Sequence, residues 1–218
     1  EALVRIGKHI PFEHAALFGC GVVTGVGAVI NTASAREEDS IAIVGLGGVG
    51  LSALLASIAI GSKKTIAIDL SNEKLNLAHE LGADHILNPN DANFLERVRD
   101  LTSGGANIAI ETAGSGRALK TAYDITRRGG TTVAAGMPGP KVDITLSHLS
   151  IAAEERIIKG SYMGSCIAHR DIPKYLDMFQ TGRLPVDRLL SRKITFEDLN
   201  AAMDRLDDAK TVREVLIP

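Results

Sequence analysis

The sequence predicts an α/β fold: a doubly wound parallel sheet of six strands, with helices on both faces. Two observations carry that expectation. Short apolar runs alternate with helical runs along most of the 218 residues, the rhythm of βαβ units. The first such run, Ile41-Ala42-Ile43-Val44, is apolar at every position, as a strand buried on both faces must be. It ends in Gly45-Leu46-Gly47-Gly48-Val49-Gly50, and a helix starts at once, with Leu51, Leu54, Leu55, Ile58 and Ala59 forming one apolar face.

Gly45, Gly47 and Gly50 fit the pattern G-x-G-x-x-G between that strand and that helix. The first glycine permits the tight turn, the second lets a pyrophosphate approach the backbone, and the third lets helix and strand pack closely. Phosphates would then sit on the open N–H groups at the helix start, where the dipole favours negative charge. Glycine turns of this kind also serve methyltransferases that bind S-adenosylmethionine, so the next unit matters. Thr65-Ile66-Ala67-Ile68 is a second apolar strand, and Asp69 closes it nineteen residues after Gly50. A carboxylate there accepts both hydroxyl hydrogens of an adenosine ribose and repels a 2′-phosphate, which implies NAD rather than NADP. As plain structure, Asp69 would be a turn or cap residue ahead of Ser71.

The remaining elements follow in order. Pro11 breaks any long helix before the Ala15–Phe18 stretch. After Gly19-Cys20-Gly21, residues Val22, Val26, Val29, Ile30 and Ala33 recur at near-helical spacing. Gly25 and Gly27 within that run each cost about 1 kcal/mol relative to Ala in a helix, so a close approach by another element or a ligand is expected there. A helix from about Asn72 to Leu81 stops at Gly82. His85–Leu87 is a short strand, Phe94 to Leu101 a helix, and Ile108–Glu111 a fourth strand followed by a helix carrying Leu119 to Ile125. Gly129-Gly130 turns into a fifth strand, Thr131–Ala135; a helix from about Ser147 to Glu154 leads to a sixth, Arg156–Met163. Right-handed crossovers give the order 3-2-1-4-5-6, with ligands at the carboxyl ends of the strands. The crevice is therefore expected to be lined by Gly45 to Gly50, Asp69, Thr112 to Gly114, Gly136-Met137 and Ser161 to Met163. Beyond Gly164 the unit stops repeating. A helix from Ile172 to Phe179, another through Leu199, Met203 and Leu206, and a last strand from Arg213 to Pro218 complete a tail too short for an independent substrate domain.

Composition narrows the class. A formal charge of −2 with mixed signs offers no basic footprint for nucleic acid. Two distant cysteines, Cys20 and Cys166, form no disulfide framework, which points to a reducing cytoplasm. No leader and no bilayer-length apolar run stands out, so no membrane partner is expected. The chain opens at Glu1 rather than Met and is expected to be a fragment, a processed product or a domain of something longer.

With these motifs placed, the chain resembles the zinc-dependent medium-chain alcohol dehydrogenases over nearly its whole length, aligned to their C-terminal, NAD-binding Rossmann portion. The stretches that carry the resemblance are Gly19-Cys20-Gly21-Val22-Val23-Thr24-Gly25-Val26-Gly27-Ala28, then Gly45 to Gly50, then Ile68-Asp69 with Lys74, and finally Thr211-Val212-Arg213. The Cys20 motif looks most like the glutathione-dependent formaldehyde and aryl-alcohol branches. The resemblance implies a division into 1–21, a remnant of the catalytic domain; 22–164, the NAD-binding domain; and 165–218, a return to the catalytic domain. It implies that Cys20 is a catalytic zinc ligand, that Thr24 contacts the nicotinamide, that Lys74 lies by the ribose and that Arg213 binds pyrophosphate. It also implies that carbonyls near Ala135 and Ser161 face the nicotinamide amide, beside Gly136, Met137 and Met163. Without the resemblance, a cysteine between glycines reads as a small buried apolar residue, Thr24 as a hydroxyl bonded back to its own helix, and Lys74 and Arg213 as solvated charges.

A catalytic zinc takes three protein ligands and an open position. The family draws two of the three from an N-terminal half that this sequence lacks, together with the four-cysteine structural zinc lobe. His9, His14, His148 and His169 show no ligand spacing with Cys20. The expected function is thus hydride transfer between a primary or aryl alcohol or aldehyde and NAD in the intact enzyme, with this chain binding cofactor and turning over little. The alternative is a non-catalytic nucleotide-binding or redox-sensing module. The apolar sixth strand is an open edge, so a homodimer or homotetramer is expected.

Overall fold

In a computed structural model of the chain, residues 3–207 and 211–217 are described. Six parallel strands form one sheet in the order β3-β2-β1-β4-β5-β6, as expected. These are β1 (Ser40–Val44), β2 (Lys64–Ile68), β3 (His85–Leu87), β4 (Ala106–Glu111), β5 (Thr126–Ala134) and β6 (Ile157–Gly160). Five pairings run in parallel register, among them Val44 beside both Ile68 and Glu111. The reversal of direction between β1 and β4 opens a crevice at the carboxyl ends of those strands.

Helices α1 (Phe12–Ala15), α2 (Gly21–Gly27) and α3 (Gly48–Ala59) come from the first quarter of the chain. Helices α4 (Asn72–Glu80), α5 (Phe94–Thr102), α6 (Gly116–Ile125) and α7 (His148–Ala153) connect the later strands. Helix α8 (Ala168–Gln180) leads to a small parallel pair, β7 (Leu190–Ile194) and β8 (Arg213–Leu216), with α9 (Leu199–Asp207) between them. Two apolar clusters fill the faces of the large sheet. The larger joins Ile43 and Ile110 to Leu17 and Phe18 before α2, to Tyr175 and Leu176 on α8 and to Val215 on β8, so the flanking segments share one core with the sheet. Each fully buried aliphatic side chain of this kind contributes about 1.5–3 kcal/mol.

Several boundaries differ from the sequence expectation, each for a tertiary reason. Helix α3 is buried nearly all round rather than along one face, because α2 packs on the side away from the sheet; a helix enclosed this way is apolar throughout. That packing explains Gly25, where a Cβ would collide with the Val49 carbonyl; Gly27 instead meets the turn after β6, where a Cβ would strike Gly164. After Gly27 the helix widens into a π turn over Ala28–Thr32. Strand β4 begins at Ala106, two residues early. Strand β5 begins at Thr126, before the glycine pair rather than after it: the chain stays extended on both sides of Gly129, whose N–H donates to the Glu154 carbonyl at 2.7 Å, and the register with β4 shifts there. Strand β6 stops at Gly160, because Met163, Gly164 and Ser165 turn left-handed at φ 48, 66 and 48. Helix α8 starts at Ala168, with the Asp171 carboxylate accepting the Ile167 N–H at 2.8 Å. The last strand ends at Leu216, and Pro218 lies outside the described residues. Among the described residues no single helix is long and apolar enough to cross a membrane.

Candidate functional site

The glycine turn sits in the crevice at the end of β1. Gly45 adopts φ 97, and its N–H donates to the Ile68 carbonyl at 2.8 Å. Gly50 faces the Gly45 carbonyl so closely that a Cβ there would collide with it. Gly47 is the opposite case: a Cβ would meet nothing within 4 Å, so its backbone is open to the crevice. The first N–H groups of α3, from Gly48, Val49 and Gly50, point outward with no intrahelical acceptor. They form a cradle suited to an anion.

Cavities lie on both sides of this turn. One, of about 240 Å³, is lined by Gly45, Asp69, Lys74, Ser115 and Arg117. The other, of about 550 Å³, is lined by Cys20, Thr24, Val49 and Thr112, by Ala135, Gly136 and Met137 after β5, and by Ser161 and Met163 after β6. The sequence-derived residues thus divide into two groups with the glycine turn between them. A further cavity of about 440 Å³ runs along the outer edge at β3, lined by His79, His85, Arg97 and others, and touches none of these residues.

The structure gives several of these side chains a second task. Asp69 accepts the Leu46 N–H at 2.6 Å through one oxygen and the Ser71 N–H at 2.9 Å through the other, so it holds the glycine turn while facing the smaller cavity. Thr112 turns its hydroxyl onto the Gly45 carbonyl at 2.6 Å, bracing the turn from β4. Thr24 donates to the Cys20 carbonyl at 2.8 Å, the back-bond expected of a helical threonine, yet also lines the larger cavity. Lys74, in the first turn of α4, faces the smaller cavity with Asp69. Met137 is exposed and contributes mainly through its backbone, which packs against Gly114.

Arg213, distant in sequence, arrives at the same place. Its guanidinium lies against Gly21 at the start of α2 and Gly48 at the start of α3; a Cβ on either glycine would strike it. Arg213 thus sets a cation beside the open N–H groups at the start of α3, a combination suited to an anion.

Cys20 is exposed at the N-cap of α2 and faces the larger cavity. No trio of His, Cys, Asp and Glu side chains able to hold a metal occurs among the described residues. His14 instead packs edge-on against Phe179. The residues here therefore do not fit a zinc site on their own; they offer one cysteine sulfur, and no chemical step is derived through a metal.

Two groups at the site escape sequence reading. Glu111, 2% exposed, accepts the Gly114 N–H at 2.6 Å and so clamps the turn after β4; burial holds its carboxyl above the usual range despite these N–H donors. Arg117, in the first turn of α6, donates to Asn90 at 2.7 Å while lining the smaller cavity. A cation at a helix N-terminus opposes the helix dipole, and that local conflict is the signal that could have marked it.

A parallel sheet wound in this order, with a glycine turn at its switch point and cavities to either side, defines a Rossmann-type domain. The chain belongs to the zinc-binding dehydrogenase family, which it matches over residues 48–181. It is 33% identical over 215 residues to geraniol dehydrogenase of Castellaniella defragrans, covering 98% of this chain and 57% of that protein. It is 28% identical over 224 residues to S-(hydroxymethyl)glutathione dehydrogenase of Paracoccus denitrificans, covering 99% and 60%. Among solved structures, benzyl alcohol dehydrogenase from Acinetobacter calcoaceticus superimposes with a TM-score of 0.94 at 30% identity, over 98% of this chain and 59% of that one. The chain thus spans less than two thirds of the length of these relatives, and what it carries is a dehydrogenase domain.

Proposed function

We propose that the chain is the NAD-binding portion of a zinc-dependent alcohol dehydrogenase that interconverts a primary or aryl alcohol and its aldehyde. The observation that carries this reading is the pair of cavities flanking a glycine turn on which Arg213 rests. A nicotinamide dinucleotide bound there supplies the hydride acceptor. In this reading Asp69 receives the ribose hydroxyls and excludes a 2′-phosphate, with Lys74 beside it. The N–H groups of Gly47, Gly48, Val49 and Gly50, together with Arg213, neutralise the pyrophosphate. Thr24 and the backbone at Ala135, Gly136, Met137, Ser161 and Met163 orient the nicotinamide, and Thr112 keeps the turn rigid between the two halves.

Cys20 enters as one ligand of a catalytic zinc completed by residues that this chain does not contain. For that reason the chain by itself is proposed to bind cofactor and to turn over little alcohol. The domain division at 21/22 and 164/165 belongs to the same reading, as does a homodimer or homotetramer built on β6, where Ile157 and Ile158 are exposed at the sheet edge. Two free cysteines agree with a reducing, cytoplasmic setting.

A thermal-shift series with NAD, NADP and S-adenosylmethionine, run beside a zinc assay and an alcohol-oxidation assay, tests the reading. It expects stabilisation by NAD above NADP, none by S-adenosylmethionine, and negligible turnover. Stabilisation by S-adenosylmethionine alone, or brisk alcohol oxidation by the purified chain, would overturn it.

A further inference from the structure

Beside the larger cavity lies a part-buried polar network, of which only Ser161 has a role above. Its centre is Asn31, on the π turn that continues α2. The Asn31 amide nitrogen donates to the Gly164 carbonyl at 3.2 Å, to Asp171 Oδ2 at 3.1 Å and lies 3.1 Å from the Tyr175 hydroxyl. Asp171 is 2% exposed, and it also accepts the Ile167 N–H and two bonds from Arg170, at 2.6 and 3.0 Å. Next to Asn31, the Thr32 hydroxyl bonds the hydroxyls of Ser161, at 2.8 Å, and Ser165, at 2.9 Å. No buried side-chain polar atom among the described residues is left without a partner, the Asp171 carboxylate included.

What this network grips is a strained turn. Met163, Gly164 and Ser165 are left-handed in succession, and two of the three carry side chains. A left-handed residue with a Cβ is disfavoured, and a run of them persists only where surrounding structure over-determines it. The turn is also the wall of the larger cavity, because Met163 and Ser161 line it. Gly164 at its centre packs against the backbone of Thr24 and Gly27, leaving no room for a side chain.

We propose that Asn31 and Asp171 are positioning residues that hold the Met163–Ser165 turn in its left-handed form and so fix the nicotinamide end of the crevice. Neither residue lines the cavity; they act through the Gly164 carbonyl. Arg170 and the Ile167 N–H anchor the carboxylate on α8, and Asn31 transmits that anchor across to α2 and the turn. The adenosine end, on the far side of the glycine turn, shares no bond with the network. The inference rests on the cofactor reading above and sharpens it into a prediction about one half of the ligand.

The test is calorimetric titration of this chain and its variants with two probes, NAD and ADP-ribose, the latter lacking the nicotinamide. Asn31→Ala is expected to weaken NAD by about tenfold while ADP-ribose changes by less than about twofold, the signature of a misplaced nicotinamide wall. Asp171→Asn is expected to act in the same direction. Ser165→Gly, which removes the strain of a side chain at φ 48, is expected to restore most of the NAD affinity in the Asn31→Ala background. Equal weakening of both probes, no change in either, or no rescue by glycine would overturn the proposal. Should Asn31→Ala fail to fold, the same comparison on Asp171→Asn decides it. If the unaltered chain binds neither probe, the cofactor reading itself fails and this inference falls with it; if the chain binds both and the variants match it, only the inference fails.

Discussion

The Arg213 guanidinium occupies the space that a side chain at Gly48 would fill, so a residue from the last strand rests on the first turn of α3. Two substitutions test that placement from its two sides. Arg213→Ala removes a charge-assisted contact worth about 1.5–3 kcal/mol and should weaken NAD binding by about 10- to 100-fold. Gly48→Ala should do nearly the same by pushing aside the flexible end of Arg213, with little change in thermal midpoint. Calorimetry and thermal melts on the two variants check this; unaltered NAD affinity in both would show that Arg213 does not meet the ligand.

The third glycine of the turn behaves differently, because what it touches cannot move away. A Cβ on Gly50 collides with the Gly45 carbonyl, which Thr112 holds from the other side. Gly50→Ala is therefore expected to cost about 1–3 kcal/mol of folding stability, readable as a lower urea midpoint, and to abolish measurable NAD binding. A variant as stable as the unaltered chain would contradict the packing described for β1 and α3.

Asp69 has a structural task and, in the proposed function, a selective one, and its variants should show both. Loss of the acceptor for the Leu46 and Ser71 N–H groups in Asp69→Ala should cost about 1–3 kcal/mol in chemical denaturation. The same change removes the charge that opposes a 2′-phosphate, so the ratio of NAD to NADP affinity should fall by about tenfold or more. An unchanged ratio would assign discrimination to another residue.

Acid titration gives a signed prediction. The hydrogen bonds from Arg170, then the Ile167 N–H and Asn31, hold the Asp171 carboxyl below the usual carboxylate range, against the opposing effect of burial. A carboxyl lowered on folding stabilises the protein above its unfolded pKa, and that contribution is lost as pH falls through the folded value. Asp171→Asn should thus lose about 2 kcal/mol at pH 7 and show a flatter decline below pH 4. Burial, and after it the Asp171 charge, push the neighbouring Tyr175 up to about 12 and raise the Cys166 thiol, so both stay neutral near pH 7. Glu111 works in the opposite sense. Burial raises its carboxyl, so its contribution is present at low pH and lost as pH rises through the folded value. Urea melts of the variant and the unaltered chain between pH 3 and pH 7 check the sign; parallel curves would refute it.

Much of this was legible because parallel strands buried on both faces write themselves as apolar runs. Ile41 to Val44 and Thr65 to Ile68 could be placed from sequence, and the glycine turn and Asp69 follow from their position at strand ends. The crevice residues at Gly136, Met137 and Ser161 were reachable because the strand order fixes which loops meet, while Ala135 came from the resemblance. What local pattern could not show is set by contacts between distant segments. Asn31 and Asp171 lie 140 residues apart and carry no periodic signal. The left-handed Met163–Ser165 turn contains two residues that ordinarily avoid that conformation, so propensity argues against it. The near-complete burial of α3 was hidden for the same reason, since its close contact with α2 depends on Gly25, where no side chain fits against the Val49 carbonyl.

The most direct measurement is a calorimetric titration of the purified chain with NAD and with NADP, beside metal analysis of the same sample. The account predicts one NAD per chain, weaker NADP, and no stoichiometric zinc, since Cys20 has no partner ligands among the described residues. Absence of NAD binding by a folded chain, or a tightly held equivalent of zinc, would contradict it.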